Sequence, residues 1–164
     1  MANDPHAKID AKTWEKLREK LPTNARVRVG VLAGAGGDAK ASSGITMLEL
    51  AAIHEFGSPA AGIPERSFIR STFDREDVRL RLNMMGARLA RAIVANKMDW
   101  TQALGMLGAW AASQIKSTIK NRLTTGPDPQ ENRPATIEKK GSDLPLVDTG
   151  RLINAITWLV TGGS

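Results

Sequence analysis

The chain has 164 residues, 41% of them hydrophobic and 24% charged, with 23 basic against 17 acidic residues for a net charge of +6 and a pI near 10.0. That length fits one domain, residues 1–164, with a core that needs no covalent staples. The absence of cysteine excludes disulfide scaffolds, thiolate zinc sites, iron–sulfur clusters and thiol catalysis, and the two isolated histidines, His6 and His54, exclude a histidine metal cluster.

The N-terminal stretch Met1 to His6 lacks the basic and apolar regions of a signal peptide, and no apolar run reaches the roughly 18 residues of a membrane helix. A soluble, cytosolic chain is expected. The basic balance favours contact with a polyanion. With no tyrosine, three phenylalanines and four tryptophans, a base-stacking platform is poorly supplied, so any meeting with DNA would run through phosphates.

Residues 10–21 place Trp14, Leu17 and Leu21 on one helical stripe, with Asp10 as N-cap and Pro22 as the stop. Arg26 to Val31 alternates strictly. Its valines point one way and Arg26, Arg28 and Gly30 the other, which is a half-buried strand. Ala33 to Gly44 is built of small residues with too little side-chain area to pack.

Thr46 and Glu49 form a capping box that opens a helix, with Leu50, Ala52 and Ile53 as its apolar face and Gly57 as its end. A turn rich in proline and glycine leads to Ser67-Phe68-Ile69-Arg70. From Asp74 two long helices are expected. Val78, Leu82, Met85, Leu89 and Ile93 define the first; Leu104, Leu107, Ala111, Ile115, Ile119 and Leu123 define the second. They break at Asn96 to Asp99, where Asp99 and Gln102 repeat the capping pattern.

Gly126 to Pro129 ends the second helix, and Pro134 to Lys140 reads as a single helical turn. The last element is a strand over 155–160 with Ile156, Trp158 and Val160 on one face. Loops at about 34–44 and 124–135 are expected to be flexible. The class is α+β: a small, mostly antiparallel sheet packed by two long central helices, with extended loops.

Several motifs invite a chemical reading and fail it. Asp148-Thr149-Gly150 resembles the triplet of aspartic proteases, whose chemistry needs two carboxylates sharing a proton. The stretch after it is too short for the strands such a half-enzyme needs, and Arg151 replaces the small residue its loop requires. Asp148 or Thr149 capping a short helical turn is the better account. Gly34, Gly36 and Gly37 are followed by Lys40-Ala41, not by the Gly-Lys-Ser/Thr of a phosphate loop. His54-Glu55 lacks the second histidine of a zincin, and the His54 imidazole suits the helix C-terminus. Glu49 and Glu55, six apart, do not share a helical face for acid–base work. Trp100 and Trp110 read as packing residues. No catalytic constellation remains, so no enzyme activity and no cofactor or metal is expected.

Three stretches in order carry a likeness to one family. They are Ile53-His54-Glu55-Phe56-Gly57-Ser58-Pro59, Ile63-Pro64-Glu65-Arg66-Ser67-Phe68-Ile69-Arg70, and Pro145-Leu146-Val147-Asp148-Thr149-Gly150-Arg151-Leu152. Pro134-Ala135-Thr136-Ile137 adds a fourth. Together these resemble the tail-component family of long-tailed bacteriophages, the neck or tail-completion proteins broadly related to minor tail protein Z. Ser67 stands where that family usually has proline, which is expected to leave the loop less rigid.

The resemblance implies a virion structural protein that forms a homo-oligomeric ring at the head–tail interface around the DNA channel. Its neighbours would be head-closure or connector, tail terminator or tail tube proteins. It would be made in the host bacterial cytoplasm. Phage DNA would pass through by sequence-independent contact. The resemblance makes His54, Glu55, Phe56, Gly57, Pro64, Arg66, Phe68, Pro134, Thr136, Pro145, Asp148, Thr149, Gly150 and Leu152 structural and assembly residues. Arg26 and Arg28 on the strand, and Arg81, Arg88 and Arg91 on the first long helix, are candidates for lumen or partner contacts. Two alternatives stay open: a tail terminator capping the tail tube, and a basic DNA-binding regulator using the helix around Arg75 to Arg91.

Overall fold

The computed structural model describes residues 8–41, 44–121, 123–124 and 150–163. Its fold is α+β, with helices surrounding one two-stranded antiparallel sheet. Helix α1 (Ala11–Lys20) begins where Asp10 accepts a hydrogen bond from Thr13 N at 2.7 Å. Only Leu17 of its expected stripe is fully buried. Leu21 is half-buried, and Trp14 is 52% exposed, because one face of a ten-residue helix reaches the core over little more than a turn.

Strand β1 (Arg26–Val31) pairs with β2 (Ile156–Thr161), setting Val27 opposite Val160, Val29 opposite Trp158 and Val31 opposite Ile156. A two-stranded ribbon is marginal in water and needs a cover. Helix α5 (Trp100–Lys120) supplies it by lying against both strands. Arg26 and Arg28 stay exposed on the other side, as the alternation predicts. Their row ends at buried Gly30, where an added Cβ would lie 3.6 Å from Ile69 Cδ1.

The described part of the connection, 33–41, corrects the expectation of a segment that cannot pack. Ala41 is buried in the main core, and the backbone carries hydrogen bonds from Gly37 N to Leu32 O, Ala41 N to Ile45 O and Met47 N to Ala39 O. Backbone groups do there what the small side chains cannot. Helix α2 (Met47–Phe56) opens on the expected capping box, with Glu49 N donating to Thr46 Oγ1 and Thr46 N donating to Glu49 Oε2. Its buried face differs from the expected one: Met47, Ala51 and Glu55 point inward, Leu50 and Ile53 are half-buried, and Ala52 is exposed.

A single 3-10 turn at Pro59–Ala61 and helix α3 (Arg70–Asp74) lead into α4 (Glu76–Val94). The break before α5 falls at 95–99 as predicted, with Asp99 and Gln102 making the second capping box. Val78, Leu89 and Ile93 are buried on α4; Ala111, Ile115 and Ile119 are buried on α5. Leu123 lies past the end of α5 and is exposed. Helix α6 (Arg151–Ala155) precedes β2, and its N-cap is Gly150 in a left-handed conformation, not a capping side chain. Asp148 and Thr149, with Pro134, Thr136 and Pro145, lie outside the described residues.

Two apolar clusters result. The larger joins Val31, Met47, Ala51, Phe68, Ala112, Ile115, Ile119, Leu152 and Ile156. The smaller joins Leu17, Leu89, Ala90, Ile93 and Ala103 between α1, α4 and the start of α5. Of the two long helices, α5 covers the sheet, while α4 packs against α1, α3 and α5.

Gly108 marks the closest approach of α5 to the sheet. A Cβ there would sit 2.6 Å from Trp158 Cδ1 and 2.8 Å from Val27 Cγ2. Gly108→Ala would gain about 1 kcal/mol in helix propensity, against roughly 1–3 kcal/mol for overpacking. The clash should win, and thermal unfolding should show a lowered Tm; an unchanged or higher Tm would show that Trp158, 42% exposed, simply swings aside.

The two acidic caps give the fold an acid-sensitive component. The backbone N–H of Thr13 holds Asp10, and that of Thr46 holds Glu49, below their ordinary values of 3.8 and 4.5. Both groups therefore stabilise the fold fully above those values, and the contribution disappears as the pH falls through the lowered folded-state values. Tm should drop on acidification below about pH 4.5, and the drop should be smaller in Glu49→Gln; equal slopes in the two proteins would refute the linkage.

Candidate functional site

The first two motif stretches meet at one carboxylate. Glu55, in the last turn of α2 and 6% exposed, accepts four hydrogen bonds from the segment that begins α3. Ser67 Oγ donates to Oε1 at 2.8 Å and Arg70 N to the same oxygen at 2.9 Å. Phe68 N and Ile69 N donate to Oε2 at 2.8 and 2.9 Å. These amides open a helix whose own N-cap, Ile69, has no side chain able to accept them. Glu55 fills that role from a neighbouring helix.

The anion is badly placed with respect to its own helix, since the C-terminal end of a helix dipole disfavours negative charge. The donors of the next segment reverse that balance. This misplacement was the one signal in the sequence: an acid in a terminal turn, just before the glycine stop, implies donors from elsewhere.

The turn between the two stretches is built to return the chain. Gly57 has φ 74°, and a Cβ there would lie 2.9 Å from Glu65 N, so both conformation and space require glycine. Ser58 and Ile63 exchange backbone hydrogen bonds across the 3-10 turn, and Arg66 N donates to His54 O at 2.8 Å. Pro64 and Arg66 are half-buried beside this turn. Arg70 pairs with Glu65 on the surface.

Ser67 corrects the expectation of a looser loop. It is fully buried, donates to Glu55 and accepts from Ser71 N, so the hydroxyl adds a bond that proline would not have. Thr72 Oγ1 lies 2.5 Å from Phe68 O and 2.7 Å from Thr118 Oγ1, which ties α3 to α5 inside the core.

The described end of the third stretch, Gly150 to Leu152, reaches the same place. Leu152 on α6 and Phe68 are both fully buried in the larger cluster, and Arg151 Nη1 donates to Lys40 O at 3.3 Å. Glu55, Phe68 and Leu152 thus belong to one packed unit. Phe56, by contrast, is 69% exposed at the end of α2.

The arginine candidates fall on two surfaces. Arg26 and Arg28 lie on the open face of the sheet. Arg81, Arg88 and Arg91 lie along α4, where they edge a groove between α4 and α5. Arg91 Nη2 also donates to Lys8 O. Asp77 takes Arg75 at 2.8 and 3.1 Å, and that guanidinium, more than the charge of Arg81, holds the Asp77 carboxyl below its ordinary value. Glu49 and Glu55 stand at opposite ends of α2, one exposed and one buried, and form no pair.

Among the described residues no group of three or more His, Asp or Glu is placed to hold a metal ion, and no helix is long and apolar enough to cross a membrane. No protein-family profile, curated protein or solved structure matches this chain.

Glu55→Gln should destabilise the fold by about 1–3 kcal/mol, because one carboxylate oxygen becomes an NH2 group facing donors. Chemical denaturation should show the loss. Equal stability of Glu55→Gln and the parent would mean that the four bonds do not hold the turn together.

Proposed function

We propose that this chain is a structural protein of a long-tailed bacteriophage virion, a neck or tail-completion protein that assembles as a ring around the DNA channel and joins tail to head. One observation carries the reading: the first two stretches that resemble that family and the described end of the third, Gly150 to Leu152, converge on one core through Glu55, Phe68 and Leu152. Residues that recur for the sake of a fold are expected to be buried and bonded in this way. Residues that recur for catalysis are expected around a cleft, in reach of one another.

The surface chemistry agrees with a role in assembly. Two arginine sets, Arg26 with Arg28 and Arg81 with Arg88, stand exposed on separate faces. Phosphate contacts from one such set would be independent of sequence and weak enough for DNA to slide through a ring. The other set is then available to a neighbouring protein.

The test is assembly. Purified protein mixed with tails from the phage that encodes it should add annular density at the tube end in negative-stain images. Arg26→Glu with Arg28→Glu, or Arg81→Glu with Arg88→Glu, should lower the yield of infectious particles. Normal yields from both double variants would remove the proposed role of the arginines. Tight, salt-dependent binding of free duplex DNA by the isolated chain would favour the regulatory reading instead.

A further inference from the structure

Helices α4 and α5 diverge to leave a groove of about 1030 Å³. Its floor is apolar: Met85, Leu89, Met98, Met106 and Trp110 line it, and Met106 is 50% exposed. Met84, 39% exposed, stands on the α4 side. Arg81, Arg88, Arg91 and Lys97 edge it, and among the described residues no acid lines it. Exposed methionine is a costly way to face water and a good way to accept a partner, because its unbranched, polarizable chain adapts to the shape laid against it.

We infer that this groove docks an amphipathic helix of another protein, one that lays an apolar stripe on the methionine floor and carries acidic residues toward Arg81 and Arg88. The inference narrows the assembly reading by giving this arginine set a protein partner, but it stands on the groove and not on the virion role.

Three features select that occupant. The first is length. The α4 residues that line the groove run from Arg81 to Ala92, about 17 Å at 1.5 Å per residue, enough for roughly three turns of a second helix. The second is charge. Arg81 and Arg88 are seven residues apart, so they stand on one side of α4 about two turns from each other, and acids spaced i and i+7 on the incoming helix would match them.

The third excludes this chain's own described helices as occupants. Helix α1 carries Glu15 and Glu19 among Lys12, Lys16, Arg18 and Lys20, and α5 has no acid. The acids of α4 sit in its first turn, and α2 commits Glu49 to its cap and Glu55 to the α3 amides. Two grooves face to face would set arginine against arginine. Duplex DNA would meet the cationic edge but leave the methionine floor uncovered.

The full-length protein can be titrated with a dye-labelled synthetic helix of about five turns, leucine on one stripe and glutamate at i and i+7 beside it. Anisotropy should show saturable binding about tenfold tighter than for the same peptide with lysine in place of glutamate. Arg81→Glu with Arg88→Glu should reverse that preference, and Met106→Asp should weaken binding of the glutamate peptide about tenfold in a protein whose circular dichroism is unchanged.

Reversal of preference is the decisive result, since a variant that has merely lost its fold would lose both peptides. Equal binding of the two peptides, or none by the parent protein, overturns the inference. So does a self-association of the parent that Met106→Asp removes, which would assign the groove to a second copy. Duplex binding lost in Arg81→Glu with Arg88→Glu and kept in Met106→Asp would assign the cations to DNA, and overturns it as well. Because the assay contains no phage component, its failure leaves ring assembly to be judged by the imaging experiment.

Discussion

A buried carboxylate that belongs to one helix and caps another is the constraint on which this fold turns. Removing an ion such as Glu55 from water costs several kcal/mol unless its lone pairs are satisfied. Here Ser67 Oγ and three successive backbone amides satisfy them. The amides gain equally, since an unmet buried donor costs about 1–3 kcal/mol. Each side solves the other's problem. The consequence is positional: Phe68, between two of the bonded residues, is driven into the centre of the core with no exposure at all. Once Phe68 is fixed, α3 must start beside α5, and the Thr72–Thr118 contact follows from that placement.

The same constraint explains how a sheet of two strands suffices. Strands β1 and β2 are far apart in sequence, and among the described residues no third strand extends them. What holds them is α5 on one face, with Gly108 letting Trp158 and Val27 approach, and α6 leading into β2 with Leu152 buried below Phe68 and Ile156. Helix α5 is the common member of both apolar clusters. Ala103 serves the one with α1 and α4; Ala112, Ile115 and Ile119 serve the one with the sheet. Small residues at 103, 108, 111 and 112 keep its neighbours close.

What the sequence made legible was local. The caps at Asp10, Thr46 and Asp99 link residues three apart, so spacing alone reveals them. The alternation of β1 has a period of two and a single interpretation. The buried side of α2 was not legible. Apolar residues lie around most of that helix, so periodicity does not choose a face. The choice is made by donors twelve to fifteen residues downstream that require Glu55 inside, which carries Met47 and Ala51 in with it and leaves Ala52 out. The packing of residues 33–41 was not legible for a related reason. Side-chain area is visible in a sequence, but hydrogen bonds such as Leu48 N to Gly37 O depend on where α2 begins in space. As for the site, His54 to Gly57 and Pro64 to Phe68 were legible as segments, and the bond network that joins them was not.

The interior and the surface therefore follow different economies of form. Inside, polar groups such as Glu55, Ser67, Ser71, Thr72 and Thr118 are bonded to one another and to the backbone, so the motif stretches are spent on holding the chain in place. Outside, large apolar and basic side chains stay exposed: Phe56 and Leu48 on α2, Met84 and Met106 at the α4–α5 groove, and arginines on both the sheet and α4. Phe56 is 69% exposed at the end of α2. The helix keeps that residue outside because Glu55, one position earlier, must face in, and a helix turns about 100° per residue. The carboxylate that closes the core thus also sets Phe56 on the outer face of α2, and a substitution that loosened Glu55 would change the core and that outer face together.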